Sequence, residues 1–127
     1  MSERTVIRGG HVIDPANGID RVADVVISNA VIAEVSDVAA IEQGDRVVDA
    51  AGKLVTPAWI DMHVHLRDPG YPEKETLETG GQAAVAGGFG TVACMTNTRP
   101  ALDSPEIVRD LIQRAASEAA CTVLPIA

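Results

Sequence analysis

The run Asp61-Met62-His63-Val64-His65-Leu66-Arg67 sets two imidazoles two residues apart, with a carboxylate two residues before them and a guanidinium two residues after. In an extended strand, residues of equal parity point to one side, so His63 and His65 project together. Two neutral imidazoles on one rigid strand are half of a tetrahedral metal site. Asp61 shares their parity and could accept a hydrogen bond from one of them, or its alternation could aim it elsewhere. Met62, Val64 and Leu66 take the other face, for packing beneath helices. A bare His-x-His arises often by chance. The setting adds weight, because a purely structural strand of a parallel sheet reads as nearly uniformly apolar. Polar residues at alternate positions are costly to bury unless something binds them.

Arg67 falls on the histidine side if the strand continues, and its fork can grip a carboxylate through two hydrogen bonds. The alternative is an ion pair with Asp68 or another nearby acid. Asn97, in Met95-Thr96-Asn97-Thr98-Arg99-Pro100, lies just past the next strand and so at the same end of the sheet. Its amide could bond a ligand or stabilise a turn. Arg99 could pair with an acid or touch a ligand, and no role is assigned to it. Glu73, Glu75 and Glu78 read as solvating a loop and a helix start, and His11 as a surface or packing residue.

The elements that must position these groups fall into two textures. From Thr5 to Pro57 short apolar runs alternate with Gly, Asn, Asp and Pro. Thr5–Arg8 and His11–Ile13 flank Gly9-Gly10, which reads as a turn. Asp24–Ile27 and Val31–Val35 flank Ser28-Asn29-Ala30, and Arg46–Asp49 and Lys53–Thr56 follow. Alternate apolar positions predict half-buried antiparallel strands and a small β module. After Pro57 the pattern is strand (Trp59–Leu66), helix (Glu75–Ala86), strand (Thr91–Met95), helix and strand (Thr122–Ile126). Gly80-Gly81 inside the first helix points to close packing against a neighbour. The second helix opens on Ser104-Pro105-Glu106, an N-cap followed by Pro at the first helical position. Its apolar positions, Ile107, Val108, Leu111, Ile112, Ala115, Ala116 and Ala119, form one stripe that packs on a sheet. Alternating strands and helices imply βαβ units and a parallel sheet.

Composition narrows the function classes. The 127 residues carry 10 Lys+Arg against 18 Asp+Glu, a net charge of −8, which argues against nucleic acid as a partner. No apolar run approaches the ~20 residues of a membrane span, and the first ten residues lack the core of an export signal. Cys94 and Cys121 lie far apart within apolar runs and read as buried free thiols. A cytoplasmic protein is the expectation.

The segment Pro57–Gly70 closely resembles the metal-binding signature of the dihydroorotase family, within the amidohydrolase superfamily. Lys74-Glu75-Thr76 and the run Gly87–Pro100 resemble that family's next two landmarks. The resemblance implies an α/β fold: the first strands and helices of a TIM-type (β/α)8 barrel (residues 57–127), preceded by part of a small β-sandwich domain (residues 1–56). It implies a zinc hydrolase that interconverts dihydroorotate and N-carbamoyl-L-aspartate in pyrimidine biosynthesis. By that resemblance His63 and His65 hold zinc, while Arg67 and Asn97 hold the substrate carboxylate. Zinc lowers the pKa of a bound water toward ~7 and polarises a carbonyl, which suits such a reaction. Three positions depart from the family pattern: Ala58 replaces the usual Gly, Thr96 the usual Pro before the Asn, and Gly90 the usual Thr.

A (β/α)8 barrel takes ~250 residues, so the chain reads as the N-terminal portion of such an enzyme. No catalytic base is evident within it; the catalytic aspartate and further metal ligands are expected beyond Ala127, and residues 1–127 alone are expected to be inactive. The alternatives are another cyclic amidase, such as a dihydropyrimidinase or allantoinase, and a non-catalytic scaffold for a carbamoyltransferase partner. The expected partner is a small-molecule substrate, and a homo-oligomer is compatible with the sequence.

Overall fold

The computed structural model describes residues 4–127, and the chain divides into two compact units, Met1–Pro57 and Ala58–Ala127. The first unit contains β1 (Arg4–Asp14), a 3-10 turn at Pro15–Asn17, β2 (Ile19–Ser28), β3 (Val31–Ser36), β4 (Arg46–Asp49) and β5 (Leu54–Val55). They form one sheet in the order β3-β2-β1-β4, with β5 also on β1. Asn29 (φ 51°) and Ala30 (φ 61°) make the tight β2–β3 turn, whose paired positive φ values match the twist of a hairpin.

Two expectations for this unit are corrected. Gly9-Gly10 is not a turn: β1 runs straight through it as a bulged strand, with a register shift between Ile7 and Gly10. Gly9 adopts φ +66°, and a Cβ on Gly10 would lie 2.4 Å from Val55 Cγ2, so both glycines serve the bulge and its close neighbour. Nor is the sheet wholly antiparallel, since β4 and β5 run parallel to β1. The described residues of this unit form a single five-stranded sheet.

Asp24, only 4% exposed, braces the bulge from β2. Its carboxylate accepts hydrogen bonds from the amides of Gly9 (2.8 Å) and Ala39 (2.9 Å). The Ala39 and Gly9 amides hold its carboxyl below the usual carboxylate range, against the opposing pull of burial.

The second unit alternates β6 (Trp59–Val64), α1 (Leu77–Ala86), β7 (Phe89–Cys94), α2 (Pro105–Glu118) and β8 (Thr122–Pro125). Its three strands are parallel in the order β6-β7-β8. Helix α1 starts two residues later than the composition predicts, because Thr76 is its N-cap and closes a capping box with Thr79. Ser104 caps α2 and Pro105 opens it, as the sequence predicts. Leu66, Leu77, Val92, Cys94, Leu102, Leu111, Ala115 and Val123 form the core between the helices and one sheet face. Gly81 lets the helices approach: a Cβ there would lie 2.8 Å from the Ala120 amide nitrogen. Cys94 is buried and Cys121 half-buried, both as free thiols whose pKa values burial raises. Among the described residues no helix is long and apolar enough to cross a membrane.

Candidate functional site

β6 carries the histidines, and a bulge decides where they point. Asp61 pairs with Val92 and Val64 with Cys94, so Met62 and His63 together stand opposite the single residue Ala93. An extra residue inverts the alternation from that point onward. Val64 packs on the core and Leu66 is buried in it, so His63 and His65 face away from the helices, and both are exposed. Their ring centroids are 5.3 Å apart with planes at 69°.

Asp61 is the casualty of the bulge. Strict alternation places it beside the histidines; in the structure it lies across from buried Val92, on the helix-covered face. There it borders a cavity of about 280 Å³, whose lining also includes Val64, Leu66, Gly80, Val92 and, at its edge, part of His65. Its Oδ1 accepts from the His63 backbone amide at 2.9 Å and touches no imidazole. Asp61 therefore buttresses the bulge rather than orienting a histidine ring.

Beyond Val64 the strand ends, so parity no longer governs Arg67. That residue takes the left-handed conformation, φ +60°, which is strained for a residue bearing a Cβ. Its carbonyl accepts from the Tyr71 amide at 2.9 Å, closing a turn. Among the described residues no carboxylate lies within ion-pair distance of its guanidinium. Asp68 is already committed to Arg114 of α2 through two hydrogen bonds of 2.8 and 3.0 Å. Arg114 also donates to Glu118, and these two carboxylates raise its pKa further above an already high value. This anchor was not legible in the sequence, where the adjacent Arg67 is the nearer partner for Asp68.

The loop after β6 and the loop after β7 are joined at Gly70. The Arg99 amide donates to the Pro69 carbonyl at 2.9 Å. Gly70 has φ +113°, and a Cβ there would lie 2.4 Å from the Arg99 carbonyl oxygen. Only glycine fits such an approach. Asn97, exposed on the second loop, meets the end of the histidine strand: its Oδ1 is 2.8 Å from His65 Nδ1. Arg99 contributes through its backbone, and His11 pairs with Asp20 across the first unit's sheet at 2.6 Å.

The donor set suits a borderline-soft divalent ion. Two imidazoles sharing a tetrahedral ion through nitrogen–metal bonds of ~2.0–2.1 Å have ring centroids roughly 5 Å apart, close to the observed spacing. No third His, Cys, Asp or Glu joins them among the described residues. These two exposed side chains are the residues that could hold a metal ion, and alone they could supply only part of its coordination sphere.

A family model described as "Dihydro-orotase-like" matches residues 52–127. The chain is 50% identical over 121 residues to a dihydroorotase of Trichlorobacter lovleyi and 49% identical to one of Geobacter sulfurreducens. Each alignment covers 95% of this chain and 28% of the relative, so the chain spans a little over a quarter of their length. Among solved structures, an L-hydantoinase (dihydropyrimidinase) of Arthrobacter aurescens superposes with a TM-score of 0.82 at 22% identity, over 98% of this chain and 27% of that one. A D-hydantoinase (dihydropyrimidinase) of a Thermus species gives 0.72 at 28% identity, over 95% and 26%. With residues 52–127 matched by the family model, the chain belongs to the dihydro-orotase-like family.

Proposed function

We propose that the chain is the N-terminal portion of a zinc-dependent cyclic-amide hydrolase that interconverts dihydroorotate and N-carbamoyl-L-aspartate in pyrimidine biosynthesis. The observation that carries the reading is the exposed His63–His65 pair beside an arginine without a carboxylate partner. In this reading His63 and His65 contribute two ligands to zinc, and later strands of a (β/α)8 barrel contribute the rest. Zinc bound there supplies Lewis acidity, lowering the pKa of water toward ~7 and polarising a carbonyl. Arg67 and Asn97 meet the ring carboxylate, the first with its two-pronged charge and the second with its amide N–H groups. On a chain of net charge −8 an anionic substrate needs such a local cation. The Asp68–Arg114 bridge supports this division of labour by leaving the Arg67 guanidinium uncommitted.

The test is hydrolysis by the purified full-length protein. Dihydroorotate should be turned over, chelation should abolish activity and zinc should restore it. Turnover of hydantoin or dihydrouracil in place of dihydroorotate would assign the protein to the dihydropyrimidinases, whose relatives share this fold. The Arg67→Ala variant sharpens the distinction. Its kcat/KM for dihydroorotate should fall by ~10–150-fold, as expected when a charged hydrogen-bonding partner worth ~1.5–3 kcal/mol is lost from a buried complex. A substrate lacking a ring carboxylate should be affected little.

A further inference from the structure

We propose that Asn97 is a positioning residue for His65: its side-chain carbonyl selects the imidazole tautomer that leaves Nε2 as the nitrogen available to a metal. The proposal rests on the reading of His63 and His65 as a metal pair. Asn97 Oδ1 lies 2.8 Å from His65 Nδ1. A carboxamide oxygen carries no hydrogen, so the bridging hydrogen is on Nδ1, which donates. A neutral imidazole protonated at Nδ1 has its lone pair on Nε2.

His65 needs such a partner because the sheet does not hold it. β6 ends at Val64, whose carbonyl accepts the last ladder hydrogen bond, from the Met95 amide at 2.9 Å. The His65 side chain is exposed, whereas Leu66 beside it is buried against α1. An imidazole one residue past a strand end is free to rotate about its side-chain torsions unless something ties its ring. Asn97 is itself held in a braced loop. The Thr98 and Leu102 amides both donate to the Thr96 carbonyl, at 2.8 and 3.3 Å, and Thr98 Oγ1 donates to the Pro100 carbonyl at 2.7 Å. The two ends of the amide then do separate work. Oδ1 is occupied by His65, while Nδ2 donates to no described residue and stays available to an anionic group of the substrate.

The experiment compares wild type, Asn97→Ala and Asn97→Asp in the full-length protein. Zinc affinity is read by competition with a chelator. The His65 tautomer is read by long-range nitrogen NMR in metal-free protein. Asn97→Ala should weaken zinc binding by ~10–100-fold, the usual effect of removing a residue that orients a metal ligand. It should also lose the fixed Nδ1–H tautomer. Asn97→Asp keeps an acceptor and loses the donor, so zinc affinity and tautomer should stay near wild type while KM for dihydroorotate rises. Wild-type zinc affinity and an unchanged tautomer in Asn97→Ala would overturn the proposal. A wild-type protein that binds no zinc, yet loses its His65 tautomer in Asn97→Ala, would instead overturn the metal reading and leave the positioning role standing.

Discussion

At the scale of single residues, the sequence shows which side chains are present and structure decides where they aim. His63 and His65 share a side, yet Asp61, of the same parity, does not, because a bulge depends on the partner strand and leaves no local mark. Asp24 illustrates a different blind spot. In the sequence it only opens the run Asp24–Ile27, yet it is a buried acceptor for two backbone amides. Its folded-state pKa is depressed, so the stability it adds is fully present above the unfolded carboxylate pKa of ~3.9 and is lost as pH falls through the folded value. Asp24→Asn should lower stability near neutral pH by ~1.5–3 kcal/mol, the worth of hydrogen bonds to a charged group. Denaturant melts at several pH values should also show a shallower acid limb for the variant.

At the scale of elements, caps and periodicity were legible where the signal is local. Ser104-Pro105 marks the start of α2, and Gly80-Gly81 announces close approach; a Cβ on Gly80 would sit 2.5 Å from Leu66 Cδ2. The start of α1 lies two residues past the expected Glu75 because Thr76 closes its box with Thr79 rather than with the acid usual at that position. Two departures from the family pattern turn out to be one packing event. A Cβ on Gly90 would lie 2.7 Å from Ala58 Cβ, so bulk added at one position requires its absence at the other. Gly90→Thr alone should destabilise the fold by ~1–3 kcal/mol through overpacking. Adding Ala58→Gly should recover much of that loss, and a double-mutant cycle in thermal melts measures the coupling. Gly81→Ala has no such remedy, because the obstacle is the Ala120 backbone. Its gain of ~1 kcal/mol in helix propensity should be outweighed and Tm should drop.

At the scale of the whole molecule, alternating textures gave the parallel βαβ arrangement, while the parallel pairing of β4 and β5 with β1 stayed hidden, since strand direction is a long-range property. The face of the β6-β7-β8 sheet opposite the helices carries Ile60, Met62 and Leu124 at 65%, 77% and 52% exposure. A parallel sheet is stable with both faces covered. Residues 1–127 expressed alone should therefore bind an apolar dye such as ANS strongly, and the full-length protein weakly. The same isolated residues should show no dihydroorotate turnover; rates matching the full-length protein would overturn the proposal that later strands complete the site.

The left-handed backbone at Arg67 has a consequence for protein engineering. A residue without a β-carbon is comfortable there, and relief of ~1–3 kcal/mol is available to Arg67→Gly. Random libraries sorted for heat tolerance alone should enrich that replacement, and sorting for catalysis should purge it. Thermal robustness and turnover would then pull one codon in opposite directions.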